Sequence, residues 1–181
     1  CLIVDVTVEA LIDASRVHAI TAFTCVPTFL PKLVNSAALG TARFDHLRIV
    51  SYGGEPISSD TLEKSWRALG PVLWQNYGQT EAMVTCAHMS PADHLDAHGQ
   101  LRKGYIGKPY TYVDLIVRDP ATGHEVPARQ PGELTIRGAH VMHGYWEREE
   151  DTRKAVRNGW LWTGDTAMKD EDGFVRLVGR S

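Results

Sequence analysis

Short, separated stretches of this chain carry groups that could do chemistry together. Tyr52-Gly53-Gly54-Glu55-Pro56 offers main chain with no side chains in the way, and Asn76-Tyr77-Gly78-Gln79-Thr80-Glu81 puts an aromatic face beside a hydroxyl and a carboxylate. Trp162-Thr163-Gly164-Asp165 reads as a turn-held carboxylate, and Gly179-Arg180 adds a guanidinium. Two residues without Cβ branches let a flat heterocycle approach the backbone. A phenol can stack on it, a carboxylate can accept two neighbouring hydroxyls, and a glutamate oxygen suits a hard cation such as magnesium. Those are the parts needed to hold a nucleotide. Each stretch also has a plainer explanation: a tight turn at Gly53-Gly54, a helix start at Thr80, a structural turn aspartate at Asp165 and a solvated charge at Arg180.

The elements that would position these groups change texture once. From Val6 to about Ser90, helical spacing alternates with short apolar runs: Val8, Leu11 and Ile12, then Ala19 to Phe23, then Leu30, Leu33 and Val34. Leu47 to Tyr52 and Val72 to Trp74 read as strands. Between them Asp60 and Glu63 read as the capping box of a helix bearing Leu62, Trp66 and Leu69 and stopped by Gly70-Pro71. Short buried strands between helices imply a parallel sheet whose ligands sit beyond the strand ends. After Gly104 the period becomes two: Val113, Leu115 and Val117, then Leu134 and Ile136, then Phe174 to Val178, with turns at Asp119 to Gly123 and Asp170 to Gly173. One helix interrupts this half, acidic at Glu147, Glu149, Glu150 and Asp151 and basic at Arg153, Lys154 and Arg157. The predicted fold is therefore α/β: a parallel sheet with flanking helices over 1–103, then a smaller antiparallel, β-barrel-like subdomain over 104–181.

Composition excludes several classes. Nineteen basic and 22 acidic side chains give a net charge of −3, so no basic field gathers nucleic acid. The most apolar stretch, Ala19 to Val34, is broken by threonines, Pro27, Pro31 and Lys32 and falls short of the roughly 20 clean residues of a membrane span. Three cysteines, far apart, indicate neither a disulfide framework nor a zinc ribbon, and a reducing cytoplasm fits them. Asp93, His94, Asp96 and His98 can be drawn as a metal site but read better as a polar connector. His140 and His143 read as surface or supporting groups, and Glu9 and Glu63 as helix-face charges. The chain opens at Cys1 without a signal peptide and stops at Ser181 after a strand-like run, so both ends read as cut.

The order and spacing of the motifs resemble the adenylate-forming superfamily, which comprises acyl-CoA synthetases, beetle luciferases and peptide-synthetase adenylation domains. The resemblance rests on Val26-Pro27-Thr28, Gly53 to Ser58, Tyr77 to Glu81, Gly107-Lys108-Pro109, Gly132-Glu133-Leu134, Gly144-Tyr145-Trp146, Trp162 to Asp165, Asp172-Gly173-Phe174 and Gly179-Arg180. It implies adenine between the Gly53-Gly54-Glu55-Pro56 turn and the Tyr77 ring beside Gly78, with an amide from Gln75 or Asn76 at its amino edge. It implies Thr80 at the phosphates, Glu81 on Mg2+, and Asp165 with Arg180 on the ribose. Ser51, Tyr52, Met83 and Val84 would line the acid's tunnel, whose apolar character suits a fatty or aromatic acid.

The implied reaction joins a carboxylic acid to ATP as an acyl-adenylate, releasing pyrophosphate, and then to coenzyme A with loss of AMP. No nucleophilic side chain is needed, only positioning and charge stabilisation. A homodimer is compatible with the resemblance. A carrier-protein-loading or luciferase-like enzyme is the neighbouring alternative, and a non-catalytic nucleotide-binding module the alternative of another class. The superfamily's Ser/Thr/Gly-rich phosphate loop and lysine-bearing lid domain have no counterpart here. Because losing one preorganised donor costs about 10² to 10³ in rate, the 181 residues by themselves are expected to bind adenosine or AMP at most weakly and not to catalyse.

Overall fold

The computed structural model describes residues 7–83 and 85–180, with Arg180 described by its backbone alone. It divides into two compact units, Cys1–Gln75 with Ser90–Lys103, and Asn76–Met89 with Gly104–Ser181.

In the first unit, α1 (Val8–Val17) starts where Thr7 accepts a hydrogen bond from the Ala10 amide at 3.1 Å. It buries Val8, Leu11, Ile12 and Ser15, a single stripe at helical spacing. Strand β1 (Ala22–Cys25) runs parallel to β2 (Ile49–Gly53), with Ala22 opposite Ile49 and Cys25 opposite Tyr52. A single turn at Pro27–Phe29 leads into the short α2 (Leu30–Val34). Helix α3 (Ser59–Leu69) follows β2, and β3 (Leu73–Tyr77) follows α3. Leu30, Val50, Tyr52, Leu62 and Leu73, all at most 1 % exposed, join these elements in one core cluster. Full burial of each such side chain contributes about 1.5–3 kcal/mol.

The cap of α3 differs from the capping box read at Asp60. Ser58 is the N-cap, accepting from the Thr61 amide at 3.1 Å. Asp60 lies in the first turn and pairs with Lys64 at 2.9 Å, while Glu63 pairs with Lys103. Two serines precede Asp60, and the earlier one wins because it can adopt extended backbone while its hydroxyl reaches the third amide. The helix ends at Gly70, as expected.

The second unit is antiparallel. Its strands are β4 (Ala87–Met89), β5 (Tyr105–Pro109), β6 (Asp114–Arg118), β7 (Gly132–Arg137), β8 (Val156–Arg157), β9 (Trp160–Lys169) and β10 (Val175–Arg180), with α4 (Glu149–Ala155) before β8. They are ordered β4-β5-β10-β9-β7-β6, with β8 on β9. This corrects the barrel-like expectation: β6 pairs with β7 and forms an edge, so the sheet stays open. Alternation does its expected work, since Val113, Leu115, Val117, Leu134, Ile136, Leu161, Ala167 and Val175 all face one core. Among the described residues no helix is long and apolar enough to cross a membrane.

Candidate functional site

Asp165 lies inside β9 and not in the turn that its Thr-Gly-Asp context suggested. The register explains how a strand can present it. On β7, Glu133 pairs with Thr166 and Thr135 with Trp162, so Thr163, Gly164 and Asp165 all oppose Leu134. This wide bulge leaves backbone groups outside the ladder, and local side chains take them up. Thr163 Oγ1 donates to the Leu134 carbonyl at 2.8 Å and accepts from the Asp165 amide at 3.1 Å, while Glu133 Oε1 accepts from the Gly164 amide at 3.0 Å. Gly164 sits at φ +73°, a backbone that side-chain-bearing residues rarely adopt. Bulges bend a strand and re-aim a side chain.

Donors from β3 and the segment after it fix that carboxylate. The Tyr77 hydroxyl donates to Asp165 Oδ2 at 2.6 Å. Gln79 Nε2 donates to the Thr163 carbonyl at 3.0 Å and reaches the same Oδ2 at 3.3 Å. Tyr77 is 9 % exposed and packs in the core of this unit. Burial first, and then the neighbouring Asp165, push its phenol well above the usual range, so it stays a donor. On β10 the register sets Arg180 opposite Asp165.

After Gly78 the chain makes one tight turn at Thr80–Ala82 in place of a longer helix, leaving Thr80 exposed and Ala82 fully buried. Glu81 is held at both ends: its backbone carbonyl accepts from the Met142 amide at 2.7 Å, and its Oε1 accepts from the Tyr145 hydroxyl at 2.7 Å. The bond to Glu81 holds the Tyr145 phenol above its usual range. Tyr145 is seated in turn by Thr152 of α4, whose hydroxyl accepts from the Tyr145 amide at 2.9 Å. Magnesium keeps several waters and takes one or two carboxylates together with substrate phosphates. An anchored Glu81 beside the exposed Thr80 hydroxyl fits that demand. Among the described residues no group of three or more His, Cys, Asp or Glu gathers as a metal cage.

Strand alternation separates the two candidate amides. Gln75 is buried, with Oε1 3.0 Å from the Tyr52 hydroxyl. Asn76 is half-buried in the second unit and accepts at Oδ1 from the Tyr110 hydroxyl at 2.7 Å.

In the first unit Gly53 ends β2, and Gly54, Glu55 and Pro56 form an exposed turn, Gly54 at φ +88°. Ser51 is half-buried on the same strand. Tyr52 belongs to the core and not to a wall: it is 1 % exposed, and its hydroxyl also lies 3.0 Å from His94 Nε2. Met83 is 63 % exposed at φ +52°. Val84 lies outside the described residues.

His94, read from sequence as part of a solvated connector, is fully buried. It stacks on Trp66 with ring centroids 5.7 Å apart, and Nδ1 sits 2.7 Å from the Ser90 carbonyl. That carbonyl can only accept, so Nδ1 carries hydrogen and Nε2 of the neutral ring is an acceptor, competing with Gln75 Oε1 for the one Tyr52 hydroxyl hydrogen. Burial lowers the His94 pKa and so favours this neutral form. Asp96 is equally committed, taking the amides of His98 at 2.8 Å and Gln100 at 2.9 Å. The residues that sequence reading passed over are Gln79, Glu133, Tyr145 and Tyr110. The first three stood inside motifs already noted, whereas Tyr110 carried no signal.

The description of the matching family model is AMP-binding enzyme, and it covers residues 3–146. The chain belongs to this family, within the adenylate-forming superfamily. It is 35% identical over 173 residues to a long-chain-fatty-acid–CoA ligase of Escherichia coli, covering 96% of this chain and 30% of that protein. The amide bond synthetase McbA of Marinactinospora thermotolerans superposes with a TM-score of 0.87 at 32% identity, over 96% of this chain and 34% of that one. O-succinylbenzoate coenzyme A synthetase of Bacillus subtilis, solved in complex with AMP, gives 0.81 at 26% identity over 96% of this chain and 34% of that one. The chain thus spans about a third of the length of the proteins it matches.

Proposed function

We propose that this chain supplies the nucleotide-holding part of an enzyme that activates a carboxylic acid with ATP, as an acyl-adenylate and pyrophosphate, and passes the acyl group to coenzyme A. The observation that carries the reading is the β9 bulge, where Tyr77 and Gln79 fix the carboxylate of Asp165. Asp165 and Arg180 take the ribose hydroxyls. An amide from Gln75 or Asn76, neighbours on β3, meets the adenine amino edge. The Gly53 to Pro56 turn, Tyr77 and Gly78 belong to the adenine, as the sequence resemblance implies. Thr80 meets the phosphates, and Glu81 holds magnesium, which when bound neutralises charge on the phosphate oxygens. Ser51, Met83 and Val84 face the acid, as the resemblance implies, while Tyr52 packs in the core of the first unit.

The acid is fatty or aromatic, a reading supported by the fatty-acid and succinylbenzoate ligases among the relatives. The test is acid-dependent pyrophosphate release by the whole protein that carries this chain, screened over short, long and aromatic acids. Because one similar structure is named an amide bond synthetase, consumption of coenzyme A is followed separately. Release that rises with one class of acid supports the proposal; equal release with every acid and with none contradicts it. The 181 residues alone are expected to bind AMP at most weakly and not to complete the reaction.

A further inference from the structure

Two contacts hold Glu81 by both ends, and both come from the loop before α4. The Met142 amide donates to its backbone carbonyl at 2.7 Å, and the Tyr145 hydroxyl donates to its Oε1 at 2.7 Å. Tyr145 is 36 % exposed, so its seat is made by its main chain more than by its ring. Its amide donates to Thr152 Oγ1 at 2.9 Å, and that hydroxyl gives its own hydrogen to the Arg148 carbonyl at 2.9 Å. Gly144 completes the seat: a Cβ there would lie 2.8 Å from the Thr152 methyl, so loop and helix touch directly. The result is a phenol from 64 residues away held at one carboxylate oxygen.

A carboxylate has two oxygens, and what occupies each decides what the group can hold. Among the described residues nothing donates to Glu81 Oε2. Tyr145 thus leaves one oxygen open and sets a positively polarised hydrogen against the other. Magnesium is small, octahedral and mostly hydrated, so Oε2 alone satisfies it alongside substrate phosphates. Calcium is larger and is often held by both oxygens of a carboxylate, and here it would meet the phenol hydrogen at Oε1. We infer that Tyr145 is a positioning residue that presents Glu81 to the metal by a single oxygen, and thereby makes the site favour magnesium over calcium. The inference rests on the proposed placement of magnesium at Glu81. Tyr145 itself touches no metal; it acts through the carboxylate.

The test is calorimetric binding of α,β-methylene-ATP, which cannot release pyrophosphate, to the whole protein that carries this chain, in excess MgCl2, in excess CaCl2 or in EDTA. For the wild type, magnesium should tighten binding over the EDTA value, and by more than calcium does. In Tyr145→Phe the gain from magnesium should fall by about tenfold, the cost of losing a partner that orients a metal ligand. The EDTA value should hold and the calcium value should move less, so the preference for magnesium shrinks. Tyr145→Phe added to Glu81→Gln should change nothing further, because its effect runs through that carboxylate. Thr152→Val removes the seat of the Tyr145 amide and keeps the ring; it should show the same loss in smaller measure, which keeps the test open should Tyr145→Phe fold poorly. An unchanged magnesium-to-calcium ratio in Tyr145→Phe, equal weakening in all three buffers, or a further loss on the Glu81→Gln background overturns the role of Tyr145 alone. A wild type bound equally in magnesium and in EDTA, or Glu81→Gln keeping the whole gain from magnesium, overturns the metal placement and the inference with it.

Discussion

The Asp165 carboxylate is oriented by a buried phenol and an amide that arrive from a distant part of the chain, and each can be removed singly. Tyr77→Phe keeps the ring in its core and deletes the 2.6 Å donor to Asp165. Hydrogen bonds to charged groups contribute about 1.5–3 kcal/mol; the half-buried setting of this one places the expected loss toward the lower figure. Urea denaturation should show a lower midpoint with an unchanged slope. Tyr145→Phe should differ, because the Glu81 contact is exposed: stability changes by less than about 0.5 kcal/mol. Hydrogen exchange at the Tyr145 amide, now bonded to Thr152, should quicken. The individual chemical groups were legible in the sequence because Tyr77, Glu81 and Asp165 stand in short motifs with distinctive spacing. Their partners were not. The bond from Gln79 to Thr163 spans 84 residues, and nothing local to either residue encodes it.

At the scale of the element, Gly107 shows how little room the antiparallel pairing leaves. It sits at φ +91°, and its missing side chain would collide with the main chain of His88 on the neighbouring strand. Gly107→Ala should cost about 1–3 kcal/mol, as overpacked sites do, read as a lower thermal midpoint. The strands themselves were readable because burial on one face imposes alternation, which a single sequence displays at Val113, Leu115 and Val117. The bulge at Asp165 and the open edge at β6 were not, since both are properties of register between strands far apart in the chain. The same holds for the end of β3, which runs on to Tyr77 past the Val72 to Trp74 stretch read as a strand: a strand's last residues are decided by what pairs with them. His94 was misread for a related reason. Its neighbours are polar and its segment short, yet Tyr52, Trp66 and Ser90 enclose it from elsewhere in the first unit.

The whole molecule should feel that burial as pH dependence. An ordinary histidine titrates near 6.5, and folding lowers the His94 value by desolvation. Above that pH both states leave the ring neutral; below it the unfolded chain takes a proton that the folded chain resists. Stability should therefore fall as pH drops from 6.5 toward the depressed folded value, by up to about 1.4 kcal/mol per pH unit for one group. His94→Gln should flatten that limb of a urea-midpoint profile. At the other end, burial pushes Cys86 up to about 11 and Cys25 up to about 12 from 9.0. The unfolded thiols ionise first, so stability is also lost as pH rises above 9.

The central claim is that Asp165 grips a ribose, and calorimetry with AMP and 2′,3′-dideoxy-AMP on the wild-type chain and Asp165→Ala tests it most directly. Contacts to a charged group at this strength predict that removing either the carboxylate or the two hydroxyls weakens binding by about tenfold or more. Removing both should cost little beyond removing one. Asp165→Ala binding AMP as tightly as wild type, or losses from carboxylate and hydroxyls that simply multiply, would contradict the account.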